Sequence, residues 1–135
     1  MNEPSIFARI ISSEIPCHKI YEDDKVIAFL DVNPITPGHT LVVPKQQIES
    51  LWDLDDDLYQ YVMKIVGLVA KRQKEVLKPN RVGFFLDGIG VPHAHVHVLP
   101  LAGGLESTIA RHLEKSQSEP DHSALADIAQ KLQIS

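Results

Sequence analysis

The chain has 135 residues, of which 44% are hydrophobic and 23% charged, as expected for one globular domain with a single core. Its net charge of -5 argues against a general nucleic-acid binder, because the composition forces no basic face. The single cysteine excludes an internal disulfide, and no apolar run approaches the ~20 residues that span a bilayer. With no signal-peptide pattern at the N-terminus, we expect a cytoplasmic protein that contacts neither nucleic acid nor membrane.

The first part of the chain predicts a short helix followed by two strands. Apolar residues recur at helical spacing over 5–12, and Pro16 stops that segment. Residues 25–32 and 39–44 are rich in β-formers, and the short connection "NPITPG" lies between them. We therefore predict two neighbouring antiparallel strands.

Residues 50–77 carry the strongest helical pattern in the chain. One apolar face runs through Leu54, Leu58, Tyr61, Val62, Ile65, Val69 and Val76. Aspartates crowd its start between 53 and 57, and lysines and an arginine crowd its end between 71 and 78. Because this order complements the helix dipole, we interpret the acidic run as helix-terminal charge rather than as a metal site.

The second part of the chain predicts two more strands and then helices. Residues 81–88 and 93–99 have strand patterns, joined by a "GIGVP" connection short enough for a hairpin. Residues 105–115 and 121–133 return to a helical pattern. The predicted class is α+β, with an antiparallel sheet of about five strands, one long helix and C-terminal helices. We expect residues 1–104 to form the main unit and residues 105–135 a helical extension of the same domain.

Three histidines alternate with small or β-branched residues in the segment "VPHAHVHVLP". If this segment is a strand, His93, His95 and His97 share one face, which we expect to be open, and the residues between them face the core. Such a row has three interpretations: a solvated polar face, a transition-metal site, or catalysis on a phosphate with one imidazole as nucleophile.

The segment before the histidines favours the third interpretation. Gly88 and Gly90 let the backbone approach a ligand closely and offer N–H groups to an anion. Two histidines at i and i+2 can share one metal ion, but a third at i+4 lies too far away for one tetrahedral centre without distortion of the strand. The row therefore suits a bound phosphate better than a bare cation.

Two separate stretches resemble one known family. "HAHVHVLP" resembles the signature of the histidine-triad (HIT) family, and "IFARIISSEIPCHKIYEDDKVIAFLDVNPITPGHTLVVPK" is similar to the opening of its nucleotide-binding members. The resemblance covers roughly residues 5–100. It implies a HIT-like fold that binds a purine nucleotide. It also implies transfer or hydrolysis of a nucleoside monophosphate from a phosphoramidate or dinucleoside polyphosphate, through a nucleotidyl-histidine intermediate.

The resemblance implies a role for each matching residue. His95 would attack the α-phosphorus, His97 would contact the phosphate and the leaving group, and His93 would orient the site. His39 would lie beside the nucleophile, and Asp31 would bind the ribose hydroxyls. From the residues alone, His39 also fits a polar strand start and Asp31 a turn.

Two further sets of nucleotide-binding residues follow from the same resemblance. The base pocket is implied at Phe7, Ile10, Leu30 and Val32. The loop before the histidines is implied to contact the nucleotide at Asp87, Gly90 and Val91. Without the resemblance, Phe7 and Ile10 are read as ordinary core residues.

The chain departs from the family where many relatives bind a structural zinc ion. Ser5, Ala8 and Gln47 stand at positions that carry two cysteines and a histidine in those relatives, so we expect no metal and no cofactor. The family usually dimerises through the long helix and a strand, and we expect a homodimer supported by apolar side chains such as Tyr59, Val66 and Leu68. A non-enzymatic nucleotide-binding or regulatory module remains the alternative function.

Overall fold

The computed structural model describes residues 3–86, 90–104, 106, 108–110 and 119–134. Within these residues a five-stranded sheet has the order β1-β2-β3-β5-β4, and every neighbouring pair is antiparallel. The strands are β1 (Lys19–Glu22), β2 (Val26–Leu30), β3 (Thr40–Pro44), β4 (Arg81–Phe85) and β5 (Val96–Leu101). The helices are α1 (Ile6–Ile11), α2 (Asp56–Leu77) and α3 (His122–Leu132), with a 3-10 turn at Leu51–Asp53. The predicted α+β class with an antiparallel sheet is confirmed.

The two predicted strand pairs are present, and one strand was not predicted. β2 and β3 pair from Val26↔Pro44 to Leu30↔Thr40, and β4 and β5 pair from Arg81↔Leu101 to Phe85↔His97. The unpredicted strand is β1, which has four residues, of which Ile20 alone is buried. So short a segment with one buried side chain carries no readable alternation. Residue 106 and residues 108–110 are helical, and the rest of the helix predicted over 105–115 lies outside the described residues.

The histidine segment is not one continuous strand, which corrects the prediction for 93–99. β5 begins at Val96, so His93 and His95 precede it and only His97 lies within it. The backbone before Val96 bonds elsewhere: the His93 amide donates to the Val91 carbonyl at 2.8 Å, and the Ala94 amide donates to the Ile48 carbonyl at 2.7 Å. Because these two amides do not bond to a neighbouring strand of the sheet, the chain lies outside the sheet at the first two histidines.

α2 covers one face of the sheet, as its apolar periodicity predicted. Val62, Ile65 and Val69 are buried in the main core with the inward side chains of β2, β3 and β5. The helix begins six residues later than predicted, because the Asp55 side chain accepts the Leu58 amide and caps it there. Val66, expected at an outer dimer face, is also buried in the core, which corrects that part of the prediction.

The C-terminal helix packs against α2 and the β1 edge of the sheet. Leu125, Ala129 and Leu132 are buried in the main core. Beyond the helix, the Ile134 amide donates to the Ile20 carbonyl at 3.0 Å, so the chain end bonds to a strand that would otherwise present an open edge. Among the described residues, no helix combines the length and apolarity needed to cross a bilayer.

We expect the packing of α3 to contribute measurably to global stability. Leu132→Ala removes a fully buried side chain and should lower the free energy of unfolding by about 2–5 kcal/mol in urea titrations. Gln130→Ala, on the exposed side of the same helix, is the matched control and should change it by less than ~0.5 kcal/mol. Equal effects of the two variants would mean that α3 does not pack against the core.

Candidate active site

The imidazoles of four histidines lie close together beside α1 and the start of β5: His39 and the three histidines of the triad. They are more buried than the side chains of an open strand face. His93 is 0% exposed, His95 7% and His97 9%. Phe7 of α1 lies edge-on to both His93 and His95, with ring centroids 5.9 and 4.9 Å away. Phe85 of β4 stacks on His97 at 4.5 Å. The expectation of an open row is therefore corrected, because aromatic rings cover the histidines.

His93 is held from both sides of its ring. Its Nε2 lies 2.7 Å from the Pro44 carbonyl oxygen, and its Nδ1 lies 2.8 Å from the Ser5 hydroxyl. A carbonyl oxygen only accepts, so Nε2 carries the hydrogen and, in the neutral ring, Nδ1 accepts from Ser5. Burial lowers the pKa of His93 and the charge of a protonated His95 lowers it further, while the Pro44 bond acts in the opposite direction. His93 therefore orients its neighbours as a neutral ring.

His95 has a defined tautomer and reaches a cavity. Its Nδ1 lies 2.7 Å from the His93 carbonyl oxygen, which places the hydrogen on Nδ1 and, in the neutral ring, the lone pair on Nε2. The ring lines a cavity of about 210 Å³. The other described residues around this cavity are Glu49, Ser50, Leu51, Trp52, Leu86, Val91 and Ala94.

His39 and His97 form a directed chain of hydrogen bonds. The Ile35 amide donates to His39 Nδ1 at 3.1 Å, so a neutral His39 carries its hydrogen on Nε2. That hydrogen is donated to His97 Nδ1 at 2.9 Å, which in turn leaves the hydrogen of a neutral His97 on Nε2. His39 thus lies against His97, the histidine two positions after His95.

The described residues also contain one set with metal-ligating geometry. Asp31, His39 and His97 each offer one ligand atom, and these atoms lie within 4.8 Å of one another. A cation there needs the lone pair of His39 Nε2, but the Ile35 amide on Nδ1 directs a hydrogen to that atom. The donor set therefore fits a directed chain of hydrogen bonds better than a resident metal ion.

The two carboxylate oxygens of Asp31 make different contacts. Oδ1 accepts the Asn33 amide at 2.9 Å, which is the turn role read from the sequence alone. Oδ2 lies 3.8 Å from His39 Nε2, and the side chain is partly exposed. One carboxylate oxygen thus shapes the turn after β2, and the other faces the histidines.

The residues predicted for the base pocket divide between two faces of the sheet. Phe7 and Ile10 pack together on the α1 face, next to Phe29. Leu30 is buried on the opposite face, in the core beneath α2, because alternate residues of β2 point to opposite sides. Val32 lies beyond the strand, is 42% exposed and lines a separate cavity of about 620 Å³. The structure therefore brings Phe7 to the histidines, packs Ile10 in the apolar cluster of Phe7, and places Leu30 on the other face of the sheet.

The loop before the triad is described in part. Asp87 lies outside the described residues. Gly90 has a φ of 96°, in the left-handed region that favours glycine, and this fixes the direction in which the chain enters the triad. Val91 packs on the α1 face with Phe7 and also lines the cavity at His95.

Two polar residues near the triad were not predicted as site residues. Ser5 precedes α1, and its hydroxyl contacts His93, 88 positions later in the chain. Gln47 accepts the Ser5 amide at 3.1 Å and donates to the Glu3 carbonyl at 3.0 Å. The sequence predicts a serine before a helix as a cap. The resemblance places Ser5 and Gln47 at positions that hold zinc ligands in relatives, which indicates that they lie close together, but it does not name His93 as the partner of the Ser5 hydroxyl.

Comparison with known proteins supports the fold and identifies the family. The family model of the HIT domain matches residues 12–104, more than half of the chain. The chain belongs to the histidine-triad (HIT) family. As a member, it is a nucleotide-binding hydrolase in the general sense of that family.

Three proteins illustrate this similarity, two by sequence and one by structure. An uncharacterized HIT-like protein of Borreliella burgdorferi is 41% identical over 70% of this chain and 73% of its own length. The adenosine 5'-monophosphoramidase hnt1 of Schizosaccharomyces pombe is 34% identical over 70% of this chain and 72% of its own. The crystal structure of a Hit-like protein involved in cell-cycle regulation from Bartonella henselae has a TM-score of 0.81 and 32% identity. The superposition covers 98% of this chain and 97% of the Bartonella henselae chain.

The neutral state of His93 predicts a loss of stability in acid. Burial lowers the pKa of His93 below its ordinary value of 6.5, so below that pH the unfolded chain binds more protons than the folded one. Its contribution is therefore complete above pH 6.5 and is lost as the pH falls. Urea midpoints measured between pH 7.5 and 5.5 should decrease, and His93→Gln should reduce that dependence.

The residual dependence in His93→Gln has an identified source. The pKa of His18 is also lowered, first by burial and then by the charge of a protonated His122, so it acts in the same direction. His93→Gln should therefore flatten the curve in part, and an unchanged curve would contradict a neutral buried His93.

Proposed function

We propose that the protein transfers the nucleoside monophosphate of a purine nucleoside phosphoramidate or dinucleoside polyphosphate first to His95 and then to water. The observation that carries this proposal is the bond from His95 Nδ1 to the His93 carbonyl oxygen at 2.7 Å. That bond directs the lone pair of the neutral ring to Nε2, which is the nitrogen that a phosphorus nucleophile needs. The adenosine monophosphoramidase among the relatives supports the same class of substrate.

The reaction follows from this arrangement in two displacements. In the first, His95 Nε2 forms a bond to the α-phosphorus while the bond from phosphorus to the leaving nitrogen or oxygen breaks. In the second, a water oxygen attacks the same phosphorus, the Nε2–P bond breaks, and the nucleoside monophosphate leaves. Phosphoryl transfer of this kind depends mainly on alignment and on donors to the phosphate oxygens.

In this mechanism His97 Nε2–H donates a hydrogen bond to the leaving group, which takes its proton from water. An amine or alkoxide leaves poorly unless an acid protonates it as its bond to phosphorus breaks. The chain from the Ile35 amide through His39 directs the hydrogen of His97 to Nε2, the donor required. The hydrogen bond from His39 also holds the His97 ring in place as the bond to phosphorus breaks.

The nucleoside would bind along the α1 face. Phe7 lies 4.9 Å from the His95 ring and packs with Ile10, so a purine against these residues brings its α-phosphate near the nucleophile. Asp31 directly follows β2, and its Oδ2 lies 3.8 Å from His39 Nε2. In this proposal its carboxylate accepts hydrogen bonds from the ribose hydroxyls. Gly90 and Val91 would contribute backbone N–H groups to the phosphate.

Trapping of the covalent adduct tests the proposal directly. Rapid quenching with an adenosine phosphoramidate should give a protein mass increased by one adenylyl group. His95→Ala should lose this adduct and at least ~10³-fold in kcat/KM, since no other group replaces the nucleophile. His122→Gln, on the exposed start of α3, is the control and should keep both.

The same experiment separates the proposal from a non-enzymatic nucleotide-binding module. Such a module would bind adenosine monophosphate, but it would show neither adduct nor turnover on a panel of adenosine phosphoramidates and dinucleoside polyphosphates. An adduct that persists in His95→Ala would assign the nucleophile to another residue.

We also propose that the protein forms a homodimer through β4 and α2. β4 is the edge of the sheet, and its Phe84 is 56% exposed. Phe84 pairs with Val98, whose side chain faces α2, so Phe84 lies on the α2 side of that edge. Tyr59 and Leu68 of α2 are partly exposed as well. An open edge strand with apolar neighbours is the kind of surface that a second copy covers.

Light scattering after gel filtration checks the dimer. The wild-type protein should elute with twice the mass of one chain, and Phe84→Glu should shift it toward the monomer by placing a charge in the interface. Ile6→Glu, a charge at an equally exposed apolar residue of α1, should leave the dimer intact. A monomeric wild-type protein would refute the assignment.

A further inference from the structure

We infer that Ser5 is a positioning residue that holds the His93 ring in one orientation, in the tautomer set by the Pro44 carbonyl, and through His93 orients the proposed nucleophile His95. Its catalytic consequence rests on the function proposed above, whereas its effect on the His93 ring does not. Ser5 lies outside the triad and belongs to the segment before α1.

Ser5 is buried and bonds through each of its polar groups. The side chain caps α1 by accepting the Ala8 amide at 2.9 Å, and the backbone amide donates to Gln47 Oε1 at 3.1 Å. The hydroxyl lies 2.8 Å from His93 Nδ1. Since the hydroxyl oxygen already accepts from Ala8, its hydrogen is available to donate to the ring.

The other side of the His93 ring makes this donation necessary. Nε2 faces the Pro44 carbonyl at 2.7 Å, which can only accept, so the single hydrogen of a neutral ring belongs there. Nδ1 then needs a donor, and at 0% exposure bulk water does not reach the ring. The Ser5 hydroxyl supplies that donor, so it completes the bonding of the tautomer that Pro44 sets and holds the ring in one orientation.

The consequence passes from His93 to His95 along the backbone. The His93 carbonyl oxygen accepts from His95 Nδ1, so a change in the position of His93 changes the aim of His95 Nε2. Phe7, two residues after Ser5, contacts both rings. Ser5 therefore joins the start of the helix that carries the proposed base pocket to the two histidines behind the reacting atom.

An ordinary helix cap explains only part of these contacts. A cap accounts for the bond to Ala8, and exposed serines make such bonds without further partners. Ser12 at the opposite end of α1 is an example, because its hydroxyl donates locally to the Arg9 carbonyl at 3.0 Å and the bond is exposed. Ser5 differs in its burial and in the bond to a ring 88 positions away.

Nitrogen NMR of the His93 ring tests the inference without any substrate. The wild-type protein should show a hydrogen on Nε2 and none on Nδ1. Ser5→Asp keeps an acceptor for the helix cap, but a carboxylate cannot donate, so Nδ1 should take a proton and the ring should become doubly protonated. Ser5→Thr should preserve the wild-type signals, and so should Ser12→Ala, the control on the same helix.

Kinetics then measure the effect on the nucleophile. Ser5→Ala should lower the rate of adduct formation by ~10-fold, since small misplacements of a reacting group cost one to two orders of magnitude. KM should change less than kcat, because Phe7 and Ile10 remain. Ser5→Thr should recover most of the rate, and Ser12→Ala should match the wild type.

The outcomes distinguish this inference from the proposed function. Unchanged His93 signals in both Ser5→Ala and Ser5→Asp would overturn the inference, as would an equal loss of rate in Ser12→Ala. If the wild-type protein formed no adduct at all, the proposed function would fail, and the ring signals would still decide the role of Ser5. If Ser5→Asp did not fold, the comparison of Ser5→Ala with Ser5→Thr would decide it.

Discussion

Two backbone carbonyls determine which ring nitrogen carries the hydrogen in the first two histidines of the triad. The Pro44 oxygen accepts from His93 Nε2, and the His93 oxygen accepts from His95 Nδ1. Because a carbonyl has no hydrogen to offer, each bond fixes a tautomer instead of allowing two. The consequence is opposite in the two rings: His93 keeps its hydrogen on Nε2, and His95 keeps its lone pair there. In the proposed reaction, the same residue type thus has an orienting role at one position and a nucleophilic one two positions later.

The long helix α2 also bonds to the backbone next to the site. Gln73 of α2 is fully buried and donates to the carbonyls of Gly38 and Val98, 2.9 and 3.1 Å away. It thereby fixes the backbone before His39 and after His97, the two partners of the hydrogen-bonded chain. A buried amide at the centre of an apolar helix face costs free energy unless it is bonded, so its bonds also specify how α2 lies on the sheet.

The sequence was informative where a local pattern had a local cause. The apolar period of α2 and the paired runs of β2 and β3 predicted their elements, because burial on one face imposes the spacing. The backbone before Val96 could not be predicted, since the bond from the Ala94 amide to the Ile48 carbonyl joins distant segments. The resemblance supplied His39 and the triad as a group. It did not supply the contact of Ser5 with His93, which depends on how α1 packs.

In the proposed reaction, the surroundings of His95 would assign the recognition of phosphate to hydrogen-bond donors rather than to cationic side chains. The described residues that line the cavity at His95 include Glu49 and neither lysine nor arginine, and the whole chain has a net charge of -5. A phosphate there must be neutralised by N–H groups, from the ring of His97 and from the backbone near Gly90. The hydrogen bonds from such donors strengthen most as negative charge grows on the phosphate oxygens in the transition state. A lysine, in contrast, would bind a long polyphosphate tightly before reaction. By this reasoning a short or neutral leaving group fits the cavity better than a highly charged one, because Glu49 opposes extra negative charge beside His95.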